Sequence, residues 1–206
     1  METSMIEIKP GIQFKETMAG GFSLDTDEPN QGSSLGKHKG FELAMHAQID
    51  IDDIDKFVAE RDHPGRLSGT IDYFPMGMGM KAQCGVFNLF YPAATDPAMK
   101  LMVYELGFQH DGEEYYLAGK KEVRDDPGFD LWSDTTTLYT QLHKGRDKSA
   151  PVVGAGILTL RVSDLLKLVS TLTVLNCTSN IDKVATIGKF GSFFMGELWD
   201  SYVKHV

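Results

Sequence analysis

Apolar and polar residues alternate almost perfectly from Phe41 to Asp52. Phe41, Leu43, Met45, Ala47, Ile49 and Ile51 fall on one phase, and Glu42, Ala44, His46, Gln48, Asp50 and Asp52 on the other. A period of two sorts side chains onto opposite faces of a strand, so this segment predicts a β-strand with one buried face. Asp52 or Asp53 then caps a short helix carrying Ile54, Phe57 and Val58 on one side. More strands are predicted at Leu67–Phe74, Ala82–Tyr91, Leu101–His110, Glu114–Val123, Thr135–His143 and Gly154–Val162. Between two of them, Asp111-Gly112 suits a type I′ turn, which needs positive φ at both central residues.

The ends of the chain read differently. Ile12, Phe14, Phe22 and Leu24 predict one or two short strands around the ETMAGG stretch at Glu16–Gly21, and Asp25–Lys39, rich in turn-formers, reads as a loop. From Ile181 the period becomes helical: Val184, Ile187, Phe190, Phe194, Leu198 and Tyr202 lie on one stripe, with Phe193 and Trp199 off it. Ala44–Val58 and Ala155–Val169 share one plan of strand, capping Asp or Ser, and short amphipathic helix. The fold class is therefore mainly β (α+β): an antiparallel barrel or sandwich with short helices and a C-terminal helix. It forms a single domain over residues 1–206, with two similar halves, about 1–110 and 111–206, as a candidate subdivision.

Composition narrows the function. The chain has 206 residues, 42% of them hydrophobic, enough for a real core. A net charge of -9 disfavours binding to nucleic acid or to anionic lipid surfaces. Two cysteines, Cys84 and Cys177, make no disulfide framework. The acidic METSMIEIKP start lacks the basic residues and apolar run of a signal peptide, and no stretch is apolar enough for a membrane span, so the expectation is a cytoplasmic protein without stable membrane insertion.

Candidate chemistry concentrates between Asp111 and His143, where Lys120, Lys121, Asp130, Trp132 and Asp134 sit in one hairpin-scale segment. These residues read either as a salt-bridged loop or as the polar mouth of a pocket. Asp126, Asp130 or Asp134 with Lys121 would make a general acid/base pair. The Met76–Met80 run (MGMGM), with Met78 at its centre, reads as an adaptable apolar lid rather than as thioether ligands for copper. Gly32-Ser33-Ser34-Leu35-Gly36 matches the G-x-S-x-G spacing of a nucleophile elbow, but no strand is predicted before it, so Ser34 reads as a loop serine. His46 and His143 fall on the polar phase of their strands, where they face either solvent or a barrel lumen. No zinc, calcium, P-loop or dinucleotide spacing is present, and no cofactor is expected.

Phe14–Ser23 (FKETMAGGFS), Ile49–Asp55, Gly85–Phe90 (GVFNLF) and above all Tyr115–Tyr139 (YYLAGKKEVRDDPGFDLWSDTTTLY) resemble an accessory domain of bacteria. That domain occurs joined to, or encoded beside, cholesterol-oxidase-like flavin oxidoreductases of the glucose–methanol–choline type. The resemblance implies an auxiliary role in lipid or sterol metabolism, with a flavin oxidoreductase as partner, and carries no catalytic residues. The expectation is a non-catalytic binding domain taking an apolar small molecule in a β-rich cavity, with Lys120, Lys121, Asp130, Trp132, Asp134 and Met78 around its mouth. The alternatives are a small cofactor-free enzyme using a Lys/Asp pair, or an interaction scaffold. A homodimer is compatible with all three.

Overall fold

The computed structural model describes residues 9–93, 96, 99–124, 135–160, 170–177 and 179–202. Eight antiparallel strands close into one barrel: β1 (Gly11–Ser23), β2 (Glu42–Ile51), β3 (Pro64–Tyr73), β4 (Gly77–Pro92), β5 (Met99–His110), β6 (Glu113–Arg124), β7 (Thr137–Lys144) and β8 (Val152–Leu160). Each strand pairs with the next, and β1 completes the circuit by pairing with both β2 and β8. A ninth strand, β9 (Thr173–Leu175), takes over the β8-side edge of β1 at Gly11–Gln13. Closure gives each strand of the eight-strand circuit a neighbour on both sides.

The alternation read from the sequence is the alternation between lumen and outside. Along β2, Leu43, Met45, Ala47, Ile49 and Ile51 are buried while Glu42 and His46 are exposed. β5 sends Met102, Tyr104, Leu106 and Phe108 inward. The Asp111-Gly112 turn has φ of 50° and 78°, as its type requires, and sets the Gln109↔Glu114 register of β5 and β6. The 110/111 division falls on this turn, between strands paired over their whole length.

Three expectations change. In place of one or two short strands around residues 16–21, one long strand, β1, runs unbroken through them. Gly20 serves close approach: a Cβ there would lie 2.1 Å from the Ile157 carbonyl oxygen on β8. Second, the expected 25–39 loop contains helix α1 (Pro29–Lys39). Glu28 caps it by accepting from the Asn30 and Gln31 backbone N–H groups at 3.2 and 2.7 Å; Pro29 begins it, and Gly40 ends it at φ 71°. Capping at both ends outweighs a sequence of poor helix formers.

The third change concerns the C-terminal helix, α3 (Asn180–Tyr202), which follows the short α2 (Ile54–Ala59). Val184 and Ile187, placed on the buried stripe by period, are exposed. Docking begins at Phe190, which meets Phe14 and Phe57 at ring distances of 5.9 and 6.3 Å. Phe193, off the expected stripe, packs against Phe57, His63 and Phe90. The inward face is set by where the barrel end presents aromatics, and this rotates the buried stripe. The second copy of the proposed repeat reaches β8, which flanks β1 opposite β2; its capping and helical residues lie outside the described residues.

At the α1 end of the barrel, Tyr73 is buried and donates to the Phe22 carbonyl at 3.2 Å. Burial, then the charge of Asp25, pushes its phenol up to about 12. An unfolded tyrosine ionises near pH 10 whereas the folded one keeps its proton, so stability falls as pH rises from about 10 toward 12. Tyr73→Phe is expected to lose about 1 kcal/mol at pH 7 and to flatten that alkaline decline. Urea unfolding at pH 8, 10 and 11 reads both effects.

Candidate functional site in the barrel lumen

Three polar side chains occupy apolar phases of the wall. Glu16 shares the inward phase of β1 with Ile12, Phe14 and Met18; Tyr104 sits between Met102 and Leu106 on β5; Lys121 sits between Gly119 and Val123 on β6. Strand alternation sends all three into the lumen, and Glu16 and Lys121 are only 5% and 2% exposed.

Tyr104 joins them. The Lys121 Nζ lies 3.3 Å from the Tyr104 hydroxyl oxygen and 4.8 Å from the centre of its ring. The phenol's pKa is raised well above its ordinary value, first by burial and then by the adjoining Glu16 carboxylate. Burial pulls the Lys121 ammonium's pKa down, while the charge of Glu16 acts the other way. An ammonium offers three donors, and Tyr104 is the hydrogen-bond partner found for it among the described residues. The Glu16 Oε1 is buried with no hydrogen-bond partner among the described residues.

Aromatic rings surround the cluster on the side of α3. Tyr104 stands edge-on to Phe87 at 5.2 Å, Phe87 to Phe14 at 6.2 Å, and Phe14 meets Phe190 of α3 at 5.9 Å. The cluster is thus screened from water and linked by packed rings to the helix at the barrel end. Low polarity strengthens every interaction among the three groups and raises the cost of any left unmet.

Of the expected site residues, Lys121 lies at the centre. Lys120, one position earlier, points outward, pairs with Glu122 at 2.8 Å, and lines an open groove of about 550 Å³ with Leu101, Val103 and Tyr139. Period two forbids Lys120 and Lys121 from sharing one pocket. Met78 is exposed beside the β3–β4 turn, at the α1 end of the barrel, and the ladder register does not bring it to Lys121. Met80 of the same run is buried in the core. Asp126, Asp130, Trp132 and Asp134 lie outside the described residues.

The histidines divide. His46 is on the outer wall, between the Thr17 hydroxyl and the Asp72 carboxylate at 3.1 Å each, as part of a cross-strand polar ladder. His143 is buried, and its Nδ1 lies 2.8 Å from the Ala150 carbonyl oxygen, which fixes the β7–β8 connection. Ser34 is on α1 with its hydroxyl donating to the Asn30 carbonyl at 3.0 Å, so the G-x-S-x-G spacing is helical here and no elbow. Among the described residues, no cluster of His, Cys, Asp and Glu is arranged to hold a metal ion, and no helix is long and apolar enough to cross a membrane.

Sequence reasoning missed Glu16 and Tyr104. A signal for Glu16 existed: it is an acid on the phase of Phe14 and Met18, where an apolar residue would be expected. Comparison with protein-family models, curated proteins and solved structures gives no match.

Proposed function

We propose that this barrel is a binding module for an apolar small molecule bearing one polar head, with the head seated at Lys121, Tyr104 and Glu16. The observation that carries the reading is the unmet polar capacity of this cluster. Among the described residues, the buried Lys121 holds one hydrogen bond, to Tyr104, and the buried Glu16 Oε1 holds none. Each unmet group costs on the order of 1–3 kcal/mol. Such costs are retained where groups are kept for a ligand. Apolar wall residues Met102, Leu106, Val123 and Phe87 suit the remainder of the molecule.

The resemblance to an accessory domain of flavin oxidoreductases supports a lipid or sterol as the class of molecule, and an auxiliary role beside such an enzyme. Native mass spectrometry followed by organic extraction tests the reading. The expected result is a small apolar molecule released on denaturation, or stoichiometric uptake of a fatty acid or sterol, either one weakened at least tenfold by Tyr104→Phe. A protein that keeps its apo mass in the presence of both ligand classes overturns it.

A further inference from the structure

We propose that Lys121 forms a reversible Schiff base with an apolar aldehyde or ketone, with Tyr104 supplying a proton and Glu16 serving as counter-ion. This rests on the binding reading above and names the chemistry of the head that the site takes.

The geometry supplies a nucleophile and a proton donor for imine formation. The nucleophile is a primary amine at the end of a four-carbon stem, buried among apolar residues and 3.3 Å from a hydroxyl. The Lys121 nitrogen attacks the carbonyl carbon and forms the C–N bond, while the carbonyl oxygen takes a proton from Tyr104. Nitrogen returns one proton to the phenolate, which leaves a neutral carbinolamine, and its second proton, relayed through the Tyr104 hydroxyl, departs with the carbinolamine hydroxyl as water. Amine and carbonyl have become imine and water, with no oxidant or reductant consumed.

Protonation of the imine places a cation where the ammonium stood. The charge of Glu16, already felt at Lys121, then holds it, and its unpartnered Oε1 is available to accept the iminium N–H. Burial favours the amine in its neutral, nucleophilic form before reaction. The high pKa of Tyr104 keeps its phenol protonated and able to donate. A purely structural ion pair would not need a carboxylate oxygen left without a partner among the described residues.

The test incubates the full chain with decanal and sodium cyanoborohydride at pH 7, then maps the reduced adduct by peptide mass spectrometry. Decanol, which has the tail but no carbonyl, is the parallel probe for non-covalent uptake. The expected result is one adduct, at Lys121, at least tenfold above that at any exposed lysine and slowed at least tenfold in Tyr104→Phe. Labelling confined to exposed lysines while decanol is still taken up overturns the Schiff base and leaves the binding reading standing. Failure of both probes to enter overturns the two together.

Discussion

Lys121→Met is expected to cost on the order of 3 kcal/mol of folding stability, and Glu16→Met added to it is expected to recover the whole loss. The single change removes the positive charge felt by Glu16 and leaves a buried carboxylate whose Oε1 already lacks a partner among the described residues. The double change replaces both buried ionisable groups with flexible apolar side chains of similar length, beside Phe87, Met102 and Val123. Buried charges exchanged together for apolar residues give proteins as stable as the parent or up to about 4 kcal/mol more so. Urea unfolding of the parent, both single variants and the double variant closes the cycle.

The direction of the double variant separates two kinds of cluster. A site held for a ligand is a standing cost, so its removal stabilises the empty protein while abolishing uptake. A structural network is the reverse case. A double variant that loses as much as the two single variants summed would make Glu16 and Lys121 ordinary supports of the barrel. The pH dependence adds a second readout. Lys121 binds its proton less tightly folded than unfolded, so its contribution to stability grows as pH rises toward about 10.4 and is lost as pH falls below that. Lys121→Met removes this rise. Tyr104, with its pKa shifted upward, gives the opposite slope above about pH 10, and that slope persists in Lys121→Met.

The barrel was legible because period two is a local signal repeated along every wall strand, from Leu43–Ile51 to Met102–Phe108. Closure was not, because nothing local says that β1 meets β8 as well as β2; Gly20 and Gly156 look like turn or spacer residues until the second strand lies against them. Lys121 was found through the charges near it in sequence. Tyr104 stands on the neighbouring strand of the β5–β6 hairpin, where the register rather than the local sequence sets it beside Lys121, and Glu16 comes from β1, far away in sequence. The buried stripe of α3 failed for a related reason. A helical period names a face, but the aromatics at Phe14, Phe57 and Phe90 decide which residues dock.

Gly32→Ala and Gly36→Ala are expected to destabilise the protein by about 1–3 kcal/mol each, although alanine is the better helix former by about 1 kcal/mol. The two glycines are four residues apart and so share one face of α1, which lies against the outer side of β1 and β8. A Cβ on Gly32 would stand 2.0 Å from the Ala155 carbonyl oxygen, and one on Gly36 would stand 2.2 Å from the Phe22 nitrogen. Both obstacles are sheet backbone, which cannot rotate aside as a side chain can. The helix must lift, exposing Ser33 and uncovering Ala155 and Ser23, which are buried in the described fold. Ser34→Ala, on the exposed side of the same helix, is expected to stay within about 0.5 kcal/mol. Chemical unfolding of the three variants therefore reads the meaning of the Gly-x-Ser-x-Gly spacing directly. Stability lost at the glycines and kept at the serine identifies a packing face that lets helix and sheet backbones touch. Glycine variants as stable as the parent would mean that α1 does not sit on β1 and β8 at this distance.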